Sequence, residues 1–457
     1  MKPKFLFALC VALTACGDGG TTTDGGTDAG GDAPVDAKQE AEAGPACGTS
    51  GWLTYGHDAA RTFATDGCVH GPLSVAWTYT PTPQANHTVN AVHHALAATD
   101  AVYLQWAGSD GQYVGTTAAD RVSPTGTRVW TYDTGSDANM GNWASVSGTN
   151  LVLNDDGMYW VTLADGKSTV GTGVDWWGQT IADAAGGAWF VTTSKSDGPG
   201  LFVGEIDATA KVIWSQNKQG TQCGDSLGDK MGGIAIDGGV LFYAPQYSAG
   251  GSVQPTFASG VYAFDAASGS PKWNVATTPS SAISAGNGLV YVIESNAIVA
   301  RKATDGSVGW TNPLPGAGAQ APVLANGLAI AAGSAGVSAF DAKTGKPAWS
   351  TPLVGAAAQA YAMTITNGCA GSQNLGAAIA TTMAAAVPSG TLVVTASDGV
   401  HVLSLADGHD TWNGKIPGAK YVVHDPVIVG SAVYVIDSPP ASIGGFGAGQ
   451  LIALGGS

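Results

Sequence analysis

Apolar residues alternate with small or polar ones in short runs along most of the chain, as in GVYAFDA from Gly260, GVSAFDA from Gly336, NGLVYVIES from Asn287 and SAVYVID from Ser431. A period of two marks strands with one face toward a core, and each run stops at a turn rich in glycine, asparagine or aspartate. Strand and turn alternating at this spacing predict antiparallel β structure. Helical heptads are absent, and the Ala-rich stretch Ala377 to Val387 is too short to span a membrane as a helix.

The strands fall into a repeat. Tryptophans recur behind a glycine turn: SPTGTRVW ends at Trp130, DATAKVIW at Trp214, DAASGSPKW at Trp273, KATDGSVGW at Trp310, DAKTGKPAW at Trp349 and LADGHDTW at Trp412. LADGKSTV keeps the turn and places Val170 where the indole would stand. Steps of mostly about 37 to 63 residues suit a four-stranded propeller blade with variable loops. The chain ends on a strand pair, AVYVID and QLIALGG, with no outer strand after it. PLSVAWTYTP supplies an outer strand with Trp77 and no inner ones. Joined, the two fragments make an eighth unit and close the ring without a bare sheet edge. The expectation is an all-β, eight-bladed propeller of four-stranded antiparallel blades over residues 47–457; seven blades would result if the unit ending at Val170 merged with a neighbour.

The first residues follow another pattern. Lys2 and Lys4 precede an apolar run, Phe5 to Leu13, too short to span a bilayer, and Leu13-Thr14-Ala15-Cys16 makes a small-residue cleavage site. Residues 1–15 therefore read as a secretory signal. The Leu-Thr-Ala-Cys ending resembles the bacterial lipobox, which implies acylation of Cys16 and a lasting membrane anchor. An ordinary cleaved signal is the other reading. Residues 16–46 hold no aromatic residue and seven acids against Lys38, too little apolar surface to offset the entropy of ordering, so they read as a solvated tether. The implied location is the bacterial envelope, with the outer membrane favoured.

Composition narrows the function. The 457 residues carry 67 Gly, 14 Trp and a net charge of -16, and the acidic balance argues against nucleic acid. Beyond the signal lie Cys47, Cys68, Cys223 and Cys369, which in an exported protein suggest two disulfides in one of three pairings; Cys47 with Cys68 would pin the start of the domain.

Two units resemble a named motif closely. Ala263-Phe-Asp265-Ala-Ala-Ser268-Gly269-Ser-Pro-Lys-Trp273 and Ala339-Phe-Asp341-Ala-Lys-Thr344-Gly345-Lys-Pro-Ala-Trp349 are similar to the tryptophan-docking motif of the pyrroloquinoline quinone (PQQ) propeller superfamily. The resemblance implies that Trp77, Trp130, Trp214, Trp273, Trp310, Trp349 and Trp412 pack against neighbouring blades. It leaves function open, since the superfamily includes quinoprotein dehydrogenases and the non-catalytic lipoprotein of the outer-membrane barrel-assembly machinery.

In that superfamily the binding face lies where the chain leaves one outer strand and enters the next inner one. Those connections offer His87, His93 and His94; Asn142 and Trp143; Asp175, Trp176 and Trp177; Asp229, Lys230 and Met231; Ser280 and Ser281; Tyr361; and His424 with Asp425. A flat ring would stack on Trp143 or Trp177 while Lys230 or a histidine meets a carboxylate. Catalysis lacks support. No cysteines are adjacent, no CxxCH haem site occurs, Glu205 and Glu294 sit in strand-like runs, and Asp155-Asp156-Gly157 reads first as a hairpin turn. His93 and His94 lack a third zinc ligand at a suitable spacing, and no G-x-S-x-G elbow or P-loop appears. The expected function is thus an extracytoplasmic binding or scaffold propeller for an envelope protein or exposed polymer, with no cofactor. The alternative is a dehydrogenase holding PQQ with Ca²⁺, and exposed tryptophans leave a weaker sugar-binding reading.

Overall fold

A computed structural model describes residues 47–82, 88–109, 114–133, 144–154, 158–170, 178–193, 201–217, 229–230, 233–247, 259–316, 318, 320–353, 362–363, 377–378, 383–387, 390–421, 423–438 and 449–456. The signal, Cys16 and the tether fall outside these residues, as do Cys223 and Cys369. Residues 47–457 form one compact unit.

Eight four-stranded antiparallel sheets are present. In chain order, blade 1 runs from Thr88 to Asp133, blade 2 from Ser145 to Val170, blade 3 from Gly178 to Asn217 and blade 4 from Ile234 to Ala276. Blade 5 spans Ser284 to Pro313, blade 6 Val323 to Pro352 and blade 7 Met383 to Gly414. Blade 8 takes three strands from Val423 to Gly456 and its outer strand, Leu73–Tyr79, from the other end of the chain. The ring is an eight-bladed propeller, and the unit ending at Val170 is a blade in its own right. Two short two-stranded pairings are separate from the eight sheets: Asp229–Lys230 with Gln246–Tyr247, which flank the inner strand pair of blade 4 in the chain, and Ala362–Met363 with Ala377–Ala378.

The glycine turn explains the repeat. In blade 6 the Asp341 carboxylate accepts the Thr344 N–H at 2.8 Å and its hydroxyl at 2.7 Å, folding the chain back so that Gly345 adopts φ +72°. A Cβ there would lie 2.6 Å from the Trp310 ring, so glycine is required both by conformation and by the indole over it. After the turn the register shifts by one residue, which aims the tryptophan at the next blade.

The seams repeat with it. Trp77 donates its indole N–H to Pro124 O at 2.8 Å, Trp130 to Leu163 O at 2.9 Å, Trp214 to Ala266 O at 3.0 Å and Trp273 to Ala303 O at 2.9 Å. Trp310 donates to Ala342 O and Trp349 to Leu405 O, both at 2.9 Å, and Trp412 packs over Gly71 before the outer strand of blade 8. Blade 2 lacks the outer tryptophan and its outer strand pairs without a register shift. There Trp160, one strand further in, donates to Gly186 O of blade 3 at 3.2 Å. The seam is thus bridged from a deeper layer.

Residues 47–72 behave differently from any blade. A disulfide joins Cys47 to Cys68, and the segment between them visits every blade in turn. Trp52 exchanges two backbone hydrogen bonds with Ala97 of blade 1, at 2.7 and 3.0 Å. Val146 of blade 2 donates to Leu53 O at 2.7 Å, and the Thr54 hydroxyl donates to Thr180 O of blade 3 at 3.3 Å. Blades 4, 5, 6 and 7 donate through Ile236, Ala285, Leu324 and Ala386 to the carbonyls of Ala59, Ala60, Thr62 and Phe63, at 2.6 to 2.8 Å. Cys68 donates to Gly430 O at the foot of blade 8 at 2.8 Å. Most of these contacts fall near the C-terminal ends of the innermost strands, so the segment closes that end of the ring and satisfies inner-strand groups that would otherwise be orphaned.

Candidate functional site

The axis of the propeller carries polar side chains that the repeat does not dictate. Arg61, fully buried and at φ +59°, donates from Nε to Ile234 O at 2.7 Å, from Nη1 to Tyr55 O and from Nη2 to Gln179 Oε1 at 3.4 Å. Its guanidinium ties the N-terminal segment to blades 3 and 4. Burial lowers its pKa to about 10, so it stays charged at neutral pH.

A second cluster sits where blade 8 meets blade 1. His94, on the innermost strand of blade 1, places Nδ1 2.5 Å from Asp425 Oδ2 on the innermost strand of blade 8. Both residues are buried. Two register irregularities present them: the pairing slips at His93, between Val92 and His94, and again between His424 and Val427. Asp425 takes φ +55°, a left-handed conformation that costs a non-glycine residue about 1 kcal/mol, which the imidazole contact offsets. Tyr55 of the N-terminal segment packs edge-on against His94, with ring centroids 5.4 Å apart.

His424 completes the cluster. Burial pushes its imidazole down to about 4, overriding the opposite pull of the Asp425 and Asp437 carboxylates, with His94 adding to the depression. Asp437 is itself committed: it accepts the N–H groups of Lys420 and Tyr421 at 2.8 and 2.7 Å and Gln450 Nε2 at 2.7 Å. The Nε2 atoms of His94 and His424 are buried and meet no hydrogen-bond partner among the described residues.

Of the residues chosen from the sequence, the fold brings together His94, His424 and Asp425, in a buried seam. His93 lies on the same strand at the register slip, and Lys230 pairs with Gln246 in the short sheet flanking the inner strands of blade 4. His87, Asn142, Trp143, Asp175, Trp176, Trp177, Met231 and Tyr361 fall outside the described residues. Glu294 is a structural ion-pair member: it meets Arg301 through two contacts, at 2.8 and 2.9 Å, and accepts the Thr277 hydroxyl at 2.5 Å. Glu205 accepts the Trp214 indole N–H at 2.8 Å. Tyr55, Arg61 and Trp160 were not expected at these positions. The one signal for the first two was aromatic enrichment (Trp52, Tyr55, Phe63) directly after an aromatic-free tether.

A family profile, PQQ_2, described as outer membrane protein assembly factor BamB, matches residues 258–443, across blades 4 to 8. Over those blades the chain is similar to the PQQ-like β-propeller family. Solved structures agree on the fold. A quinohemoprotein alcohol dehydrogenase from Comamonas testosteroni superposes with a TM-score of 0.61 at 14% identity, over 89% of this chain and 81% of that one. A europium-containing methanol dehydrogenase gives 0.59 at 11% identity, over 89% and 98%. BamB from Moraxella catarrhalis gives 0.51 at 14% identity, over 84% and 98%. No curated protein matches the sequence. At such identities the likeness concerns fold alone.

The PQQ-like fold invites a test of the cofactor. A quinone held with calcium needs converging oxygen ligands, and no three carboxylate, histidine or cysteine side chains converge among the described residues. Asp425 is engaged by His94, and the Arg61 guanidinium points into carbonyls rather than toward a place for a ligand carboxylate. Among the described residues, Asp425 and Arg61 are thus committed to the protein's own groups, and most of the rim residues nominated from the sequence lie outside that part.

Proposed function

We propose that this PQQ-like propeller is a non-catalytic binding or scaffold protein of the bacterial envelope, anchored through acylated Cys16 and engaging an envelope protein or surface polymer. The observation that carries this reading is the occupation of the ring's axis by the chain itself. Residues 52–68 bond to all eight blades, and Arg61, Gln179, His94 and Asp425 pair inward. Among the described residues, exposed apolar side chains for binding are found on the outer strands. The outer strands of blades 1, 3 and 5 expose Val129, Ile213 and Val308, whereas those of blades 4 and 6 begin with Pro271 and Pro347, which have no N–H to offer. An extended partner segment would add to the first group by main-chain pairing, with the valine or isoleucine as side-chain contact. The BamB likeness supports this reading; the two dehydrogenase likenesses supply the alternative, a PQQ-dependent enzyme.

The test combines photo-cross-linking with cofactor titration on the full chain. A cross-linker at Val129 or Ile213 is expected to capture an envelope component that one at Lys272 does not, and PQQ with Ca²⁺ is expected to leave the melting temperature unchanged. Stoichiometric PQQ binding with a raised melting temperature would favour the dehydrogenase and sink the scaffold. Membrane fractionation of Cys16→Ala tests the anchor, with release into the soluble fraction expected.

A further inference from the structure

The buried imidazoles of His94 and His424 stand on the innermost strands of the two blades that close the ring, and neither is used by the docking seams. This closure is also the only place among the eight blades where strands from opposite ends of the chain pair, Leu73–Tyr79 with Gln450–Gly456. We propose that the inner layer of the blade 8–blade 1 seam is a proton-operated latch: acid charges His424 and opens this seam, together with the Tyr55 part of the N-terminal segment, while the other blades stay closed.

The groups around His424 explain why a proton there is not tolerated. Asp425, on its own strand, already holds His94. Asp437, on the neighbouring strand, is filled by two backbone N–H groups and Gln450. His94 faces it from blade 1, and Tyr55 of the N-terminal segment covers His94. A charge on His424 therefore gains no fresh counter-ion and pushes against His94, in a region dry enough to penalise any unpaired ion. The sign follows from linkage. In the closed form His424 titrates near 4, and in an opened form near its ordinary value of 6.5. Stability of the closed form is complete above 6.5 and is lost as pH falls toward 4. Two other groups run the opposite way. Burial opposes protonation of His401, but Asp410 at 2.8 Å and Asp398 at 3.1 Å raise it overall, so blade 7 tightens in acid. Asp120, in the outer layer of the closing seam, is raised by burial and is also eased by a proton. The latch is thereby confined to the inner layer.

Hydrogen exchange on the full chain at about pH 7.5 and about pH 5, corrected for intrinsic rates, tests the latch. Peptides covering 52–57, 92–97 and 423–429 are expected to open about thirtyfold more at the lower pH, while a blade 5 peptide covering 289–302 changes little. His424→Asn removes the titration and is expected to cut the response to under about threefold. If that variant does not fold, the imidazole signal of His424 in the unaltered protein decides: a midpoint below about 5 supports the latch, and one near the ordinary histidine value overturns it. A uniform rise across all blades, or an unchanged response in His424→Asn, also overturns it.

Discussion

Around the circumference of the ring one contact is made again and again: an indole N–H reaches a carbonyl of the next blade and rests on its glycine turn. At the axis a repeated main-chain contact to the N-terminal segment is joined by side-chain contacts made once. His94 meets Asp425, Arg61 meets three acceptors from different parts of the chain, and the N-terminal segment steps from blade to blade. The circumference is built from a local motif that any blade can lose and patch, as blade 2 does with Trp160. The side-chain contacts of the axis have no copies. Damage there should be specific, and its chemistry is charged where that of the seams is neutral.

The sharpest blow to the circumference is Trp310→Ala. This indole is 8% exposed and packs against Tyr291 and Phe340, so its loss is expected to cost about 3–5 kcal/mol in denaturant unfolding. A similar cost at the partly buried Trp77 would erase the distinction between deep and shallow seams. At the axis, acidification from about pH 7 to about pH 4 is expected to remove about 3 kcal/mol through His424 alone, readable as the difference between the melting curves of the unaltered protein and His424→Asn. Arg61→Met keeps the volume but strips the donors from Ile234 O and Tyr55 O. About 2 kcal/mol is expected, with the loss concentrated in exchange of residues 52–63 rather than spread over the ring. The smallest effect belongs to Gly345→Ala, at about 1–2 kcal/mol, from a left-handed backbone and a Cβ pressed on Trp310. A neutral result there would mean that the turn is looser than the indole contact implies.

The circumference was legible because everything that makes it is close in sequence. The aspartate, the Ser or Thr, the glycine and the tryptophan of DAASGSPKW lie within a few residues, and the turn they form is their own hydrogen bonding. Blade count followed from counting such turns, and closure from the unpaired strands at either end. The candidate site was legible only in part. His94, His424 and Asp425 were picked as members of an open rim, yet they form a buried pair and its neighbour, because two strand irregularities turn them inward. Arg61 had only the aromatic enrichment around it as a signal. Its partners lie six residues away at Tyr55, then 118 and 173 residues on.

Taken alone, the amino-acid sequence determined the β class, the repeat, the number of blades and the way the ring shuts, since each rests on a period or a turn that a few consecutive residues enforce. Tertiary structure decided what fills the axis. Residues 52–68 have no strong local preference and become ordered by borrowing hydrogen bonds from eight inner strands, an arrangement that exists only once the ring has formed. The same holds for the proton-sensitive seam: the depressed imidazole of His424 comes from burial among residues of both blades, and no stretch of chain carries that environment by itself.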